Sequence, residues 1–133
     1  MPVHARGLAE LYFAKFPHDS SLVRDEIAPD FRFHHLVEVE GATAFAAFMA
    51  GVSRAFPDFS FRVHHLVAEG EFVFAHYDFS GIQADTFLDT VPSLGRPFSV
   101  RGMSLFRCGN RIEELWVAFD SLSMMKQLGA VPP

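Results

Sequence analysis

Two hydrophobic periods divide the chain, and the change falls at Pro57. Before it, apolar residues recur at helical spacing except in one strand-like stretch, Phe31 to Val39. Val3 to Phe16 carries Leu8, Leu11 and Tyr12 in helical phase with Lys15, and Pro17 stops it. A second, short helix is predicted from a cap at Asp19 through Ile27, closed by Pro29. Phe31 to Val39 reads as a strand with Phe31, Phe33, His35 and Val37 on one side. Gly41 to Phe56 gives the clearest helix, with Phe45, Phe48, Met49, Val52 and Phe56 as its apolar stripe.

After Pro57 the period becomes two. Phe59, Phe61, Val63, His65 and Val67 alternate with Ser60, Arg62, His64 and Leu66, and Glu69-Gly70 supplies a turn. Glu71 to Ser80 follows as a strand, with Phe72, Phe74, His76 and Asp78 opposite Val73, Ala75, Tyr77 and Phe79. Gly81 to Gly95 has the composition of a long loop. Pro97 to Arg107 and Arg111 to Asp120 form a hairpin through Gly109-Asn110, and Ser121 to Leu128 is a terminal helix ended by Gly129. Helices first and antiparallel strands after them imply an α+β architecture with the long helix on one face of the sheet; if the sheet curls round that helix, the space between them becomes a cone-like pocket.

Composition narrows the class. The chain of 133 residues suits one domain, residues 1–133, with a sizeable core. It holds 16 Phe against 2 Tyr and 1 Trp, which points to an aromatic core or an aromatic-walled cavity. The net charge is −5 and the cations are scattered, so no nucleic-acid partner is expected. Cys108 is the single cysteine, so no internal disulfide is possible. The N-terminus lacks the apolar core of a secretory signal. The longest apolar stretch, Ala44 to Val52, falls far short of the ~20 residues that span a bilayer. No membrane association is expected, and the cytoplasm is the expected location.

Candidate chemistry centres on Leu115-Trp116-Val117-Ala118-Phe119-Asp120, an apolar run ending on a carboxylate. In a pocket that carboxylate would be desolvated and become a usable base; at the start of the last helix it would cap backbone amides instead. Histidine titrates near neutral pH, and His35, His65 and His76 lie in phase with apolar neighbours on three strands. One of them sharing the cavity with Asp120 would complete an acid/base pair. A three-strand zinc site is the remote alternative, and no short ligand spacing supports it, so no metal is expected. The adjacent pairs His34–His35 and His64–His65 should each point to both sides of the sheet. Tyr12 could donate to a developing enolate, and Phe48, Phe61, Phe74 and Trp116 could stack on a flat ligand. Arg101 needs a partner if buried, and Glu114 across the hairpin is the expected one; Cys108 has no neighbour that would activate a thiol. No phosphate-binding glycine loop or serine elbow is present, leaving proton chemistry without a cofactor.

Ala55-Phe56-Pro57-Asp58-Phe59, Leu66-Val67-Ala68-Glu69-Gly70, the Trp116 to Asp120 segment and Gln127-Leu128-Gly129 together resemble the SnoaL-like polyketide cyclases. That family lies within the nuclear transport factor 2-like superfamily, and the likeness runs from about Ala28 to Gly129. The resemblance implies a cone-shaped fold and an aspartate near the end of the last strand as general acid/base for intramolecular aldol ring closure. Asp120 occupies that position, and His34 in Asp30-Phe31-Arg32-Phe33-His34 matches a histidine that relatives often carry and is a candidate for substrate binding. The chain departs from the family at Gly81-Ile82-Gln83, at Val91-Pro92-Ser93-Leu94-Gly95-Arg96, and at His76, where relatives often carry arginine.

The resulting expectation is a cyclase or isomerase acting on a hydrophobic small molecule. Its rivals are a non-catalytic binder of the same fold and an epoxide hydrolase- or ketosteroid isomerase-like enzyme. A homodimer is expected, because one sheet face would otherwise expose apolar side chains.

Overall fold

The computed structural model describes residues 5–132. Helix α1 (Ala5–Lys15) and the short α2 (Ser21–Asp25) lead into β1 (Ile27–His34) and β2 (Glu38–Glu40). Helix α3 (Ala42–Ala55) follows, then β3 (Ser60–Glu69), β4 (Phe72–Ile82), β5 (Pro97–Cys108), β6 (Ile112–Phe119) and α4 (Ser121–Leu128). The predicted start of the first helix at Val3 lies outside the described residues. The six strands form one curved, open sheet in the order β2-β1-β6-β5-β4-β3. All neighbours are antiparallel except β1 and β6, which run parallel. The α+β expectation therefore holds.

Three local expectations are corrected. The helix predicted through Ile27 ends at Asp25, and Ile27 already pairs with Ile112 on β6. Pro29 lies inside β1, where the register with β6 shifts between Ile27 and Arg32, so its missing N–H breaks no regular ladder. The strand predicted over Phe31 to Val39 is two strands folded back on each other, pairing Arg32 with Glu40 and His34 with Glu38. In β3 the alternation breaks at His64: Val63 faces Tyr77, but His65 faces His76. This bulge brings His64 and His65 to the same side, so the prediction that the pair splits across the sheet fails.

Alternation along β4 and β5 decides where the core sits. Val73, Ala75, Tyr77 and Phe79 on β4, with Phe98, Val100 and Phe106 on β5, are buried on the concave face. Helix α1 lies over β3 to β6, and α3 covers β1 and β2. The α3 stripe places Phe45, Met49 and Val52 in the core, and the following Phe56 joins them. Phe45 is fully buried, with its ring 4.8 Å from Phe31 and 5.1 Å from Phe33, both near edge-on. Such a site cannot collapse around a missing ring. Phe45→Ala should cost roughly 3–5 kcal/mol of stability, read as a lower urea midpoint at unchanged denaturant dependence.

Candidate functional site

Between the helices and the concave face lies a cavity walled by aromatic and aliphatic side chains. Its walls come from every layer: Tyr12 from α1, Phe48 and Val52 from α3, Phe61 from β3, Tyr77 and Phe79 from β4, Val117 and Phe119 from β6. Phe87, from the loop between β4 and β5, and Met124, from α4, complete the enclosure. Among the described residues, no Asp, Glu, Lys or Arg lines this space.

His35 is the polar exception that stands out. It follows the last residue of β1, turned inward in phase with Phe33, and its ring stacks on Phe33 at 5.3 Å and 10°. Phe119 lies 5.0 Å away and Phe48 5.9 Å. Its Nδ1 is enclosed and has no hydrogen-bond partner. An orphaned polar atom of this kind is costly unless a ligand or water completes it. Burial also lowers the imidazole to about 4, so at neutral pH the ring is uncharged and free to accept a proton. Tyr12 shares the cavity, packed against Phe16 at 5.2 Å and Phe106 at 5.3 Å. Its burial holds the phenol well above its ordinary range, which keeps it a neutral hydroxyl.

Asp120 is not in this cavity. Its side chain is exposed and accepts the backbone N–H of Ser123 at 2.9 Å, capping α4. The expectation of a desolvated carboxylate is thus corrected, and the cause is strand alternation. Asp120 shares parity with Trp116 and Ala118, whereas Val117 and Phe119 are the residues that turn inward.

The sequence pattern of the SnoaL-like polyketide cyclases matches residues 5–128. The chain belongs to that family. Its fold matches a candidate SnoaL-like polyketide cyclase from Jannaschia sp. CCS1 with a TM-score of 0.85 at 26% identity, over 99% of this chain and 97% of that one. TsrD from Streptomyces laurentii matches with a TM-score of 0.84 at 26% identity, over 95% of each chain. IdmH, a candidate polyketide cyclase from Streptomyces antibioticus, shares the fold at 24% identity and a TM-score of 0.77, over 96% of this chain and 99% of that one. No curated protein matches the sequence. The nuclear transport factor 2-like fold expected from the resemblance is the fold of this chain.

In this SnoaL-like chain the other predicted site residues divide between the two faces. Phe48, Phe61 and Tyr12 line the cavity with His35. His34, His65, His76, Phe74 and Trp116 lie on the outer, convex face, so they cannot meet a ligand in the cavity, and the three-histidine set with His35 is not assembled. His34 is held between Glu38 at 2.7 Å and Glu114 at 2.6 Å, and it stacks on Trp116 at 5.4 Å. The bond to Glu114, opposed by partial burial and reinforced by Glu38, raises its pKa. His65 and His76 contact each other through Nδ1 atoms 3.3 Å apart, and His64 bonds Asp78 at 2.9 Å. Glu114 pairs with Arg107 at 3.2 Å, while Arg101 approaches Asp78 at 3.8 Å, which corrects the predicted Arg101–Glu114 pair. Cys108 is buried and its thiol is pushed up to about 11, mainly by burial, in keeping with an unreactive side chain.

Sequence reasoning missed Phe119, Tyr77, Phe87 and Met124 as cavity residues. Parity with Val117 was a signal for Phe119; Phe87 sits in an irregular loop and had none. Among the described residues, no helix is long and apolar enough to cross a membrane.

The state of His35 has a consequence for acid stability. The unfolded chain binds a proton on this histidine near pH 6.5, the folded chain only near 4, so stability falls as pH drops through that window. The full effect is roughly 3 kcal/mol below both values. His35→Gln should flatten the loss of Tm between pH 6.5 and 4, measured by thermal melts across that range.

Proposed function

We propose that this SnoaL-like chain admits an uncharged, hydrophobic small molecule to the aromatic cavity and moves a proton on it there. The enclosed, unpartnered Nδ1 of His35 carries this reading. A neutral imidazole against apolar walls accepts a proton from a carbon beside a carbonyl, and the Tyr12 hydroxyl stabilises the enolate oxygen that forms. Ring closure by intramolecular aldol addition, the reaction the family resemblance implies, needs no other group; double-bond isomerisation needs the same two. The low pKa of His35 makes it a weak base, so holding the substrate in reactive geometry supplies most of the acceleration.

The capping role of Asp120 favours a second reading, a binder of the same fold without chemistry. Replacement of His35 separates the two. Under the catalytic reading, His35→Ala should lower kcat at least a hundredfold with less than a threefold change in ligand Kd, and Tyr12→Phe should lower kcat about tenfold or more. Asp120→Ala should leave kcat within threefold while costing about 1 kcal/mol of stability through the lost cap. Unchanged turnover in His35→Ala would end the catalytic assignment of that ring.

We further propose that the convex face binds a second copy of the chain. Val67, Phe72, Phe74, Met103 and Leu105 are exposed there as neighbours across β3, β4 and β5, and an apolar area of this kind favours association. Sedimentation equilibrium should give a dimer for the native chain and a monomer for Phe74→Glu; a monomeric native chain at micromolar concentration contradicts the proposal.

A further inference from the structure

We infer that Gly102, Tyr77 and Ser104 form a latch that sets how deep the cavity is, and so how large a ligand it takes. The inference rests on the reading of the cavity as the ligand site. Tyr77 on β4 and Gly102 on β5 are direct partners in the ladder, and both are buried on the concave face. A Cβ at position 102 would stand 2.7 Å from Cε2 of Tyr77, 2.9 Å from Cζ and 3.1 Å from the hydroxyl oxygen. The phenol ring therefore occupies the volume that a side chain at this position would need. A glycine inside a strand weakens it and is kept where another group must come close. Here that group is a ring lying on the glycine, a cross-strand pairing that also restores the contacts the strand loses there.

The other end of the ring is held as well. The Tyr77 hydroxyl meets Ser104 Oγ at 2.5 Å, two positions further along β5 on the same face. Side chains on a strand ordinarily stand away from the sheet. Pressed onto Gly102 and tied to Ser104, the Tyr77 ring lies along β5 and leaves open the space it would fill if it stood up. The same bond gives each of these two buried hydroxyls a partner.

The latch is tested with two uncharged probes of different size, 2-naphthol and 1-hydroxypyrene, titrated by fluorescence against the full chain. Adding a methyl group at position 102 lifts the Tyr77 ring into the cavity. Gly102→Ala should weaken 1-hydroxypyrene binding at least tenfold and 2-naphthol binding less than threefold. Tyr77→Ala, which removes the ring without crowding β5, should instead raise the preference for 1-hydroxypyrene at least threefold, and it serves if Gly102→Ala does not fold. An unchanged ratio of the two affinities in a folded Gly102→Ala or Tyr77→Ala chain overturns the latch. Failure of the native chain to bind either probe overturns the ligand-site reading and the size proposal with it. If neither probe binds, a crystal structure of Gly102→Ala tests the seat of the ring by itself: a displaced Tyr77 ring supports its packing on Gly102, and an unmoved ring overturns it.

Discussion

Flat, rigid rings meeting at steep angles on the inside of a curved sheet are the constraint on which the rest of this molecule depends. Phe59 meets Phe61 at 5.0 Å and 80°, Phe79 meets Phe119 at 5.2 Å and 78°, and Phe56 meets Phe98 at 5.1 Å and 69°. Each contact adds about 0.5–1.5 kcal/mol beyond the area it buries, because a ring edge is positive where a ring face is negative. The same geometry prevents close filling. Flexible aliphatic chains could interdigitate to the centre of the cone, whereas rings braced edge to face leave space between them. Stability and cavity thus come from the same residues.

From that wall follows the electrostatic division of the fold. Charge is kept off the cavity wall, and on the convex side Glu38, His34, Glu114 and Arg107 form a connected network. Partial exposure keeps the contribution of such pairs to stability modest. Inside, the polar groups on the cavity wall are neutral, and His35 stays neutral because its protonated form would be surrounded by Phe33, Phe48 and Phe119. Chemistry in this cavity is therefore a matter of placing an uncharged donor and acceptor against a substrate, not of stabilising it with a formal charge.

Much of this was written in the local pattern. The apolar stripe of α3, the Gly109-Asn110 turn and the terminal helix ended by Gly129 appear close to where periodicity puts them. Departures occur where the backbone is irregular. The reversal between β1 and β2 lies in an apolar stretch with no glycine or proline to mark it. The bulge at His64 moves one histidine across the sheet without any change in residue character.

The candidate site divides along the same line. Alternation by itself assigned Trp116, Ala118 and Asp120 to one face of β6 and Val117 and Phe119 to the other, because successive strand side chains point opposite ways. It could not say which face is concave, since both carry aromatic residues. That was decided by the helices: α1 and α3 cover one side of the sheet only, so Phe119 and His35 came to line a cavity while Asp120 was left outside to cap α4. Periodicity is a property of neighbours along the chain, but enclosure depends on segments brought together from opposite ends of it.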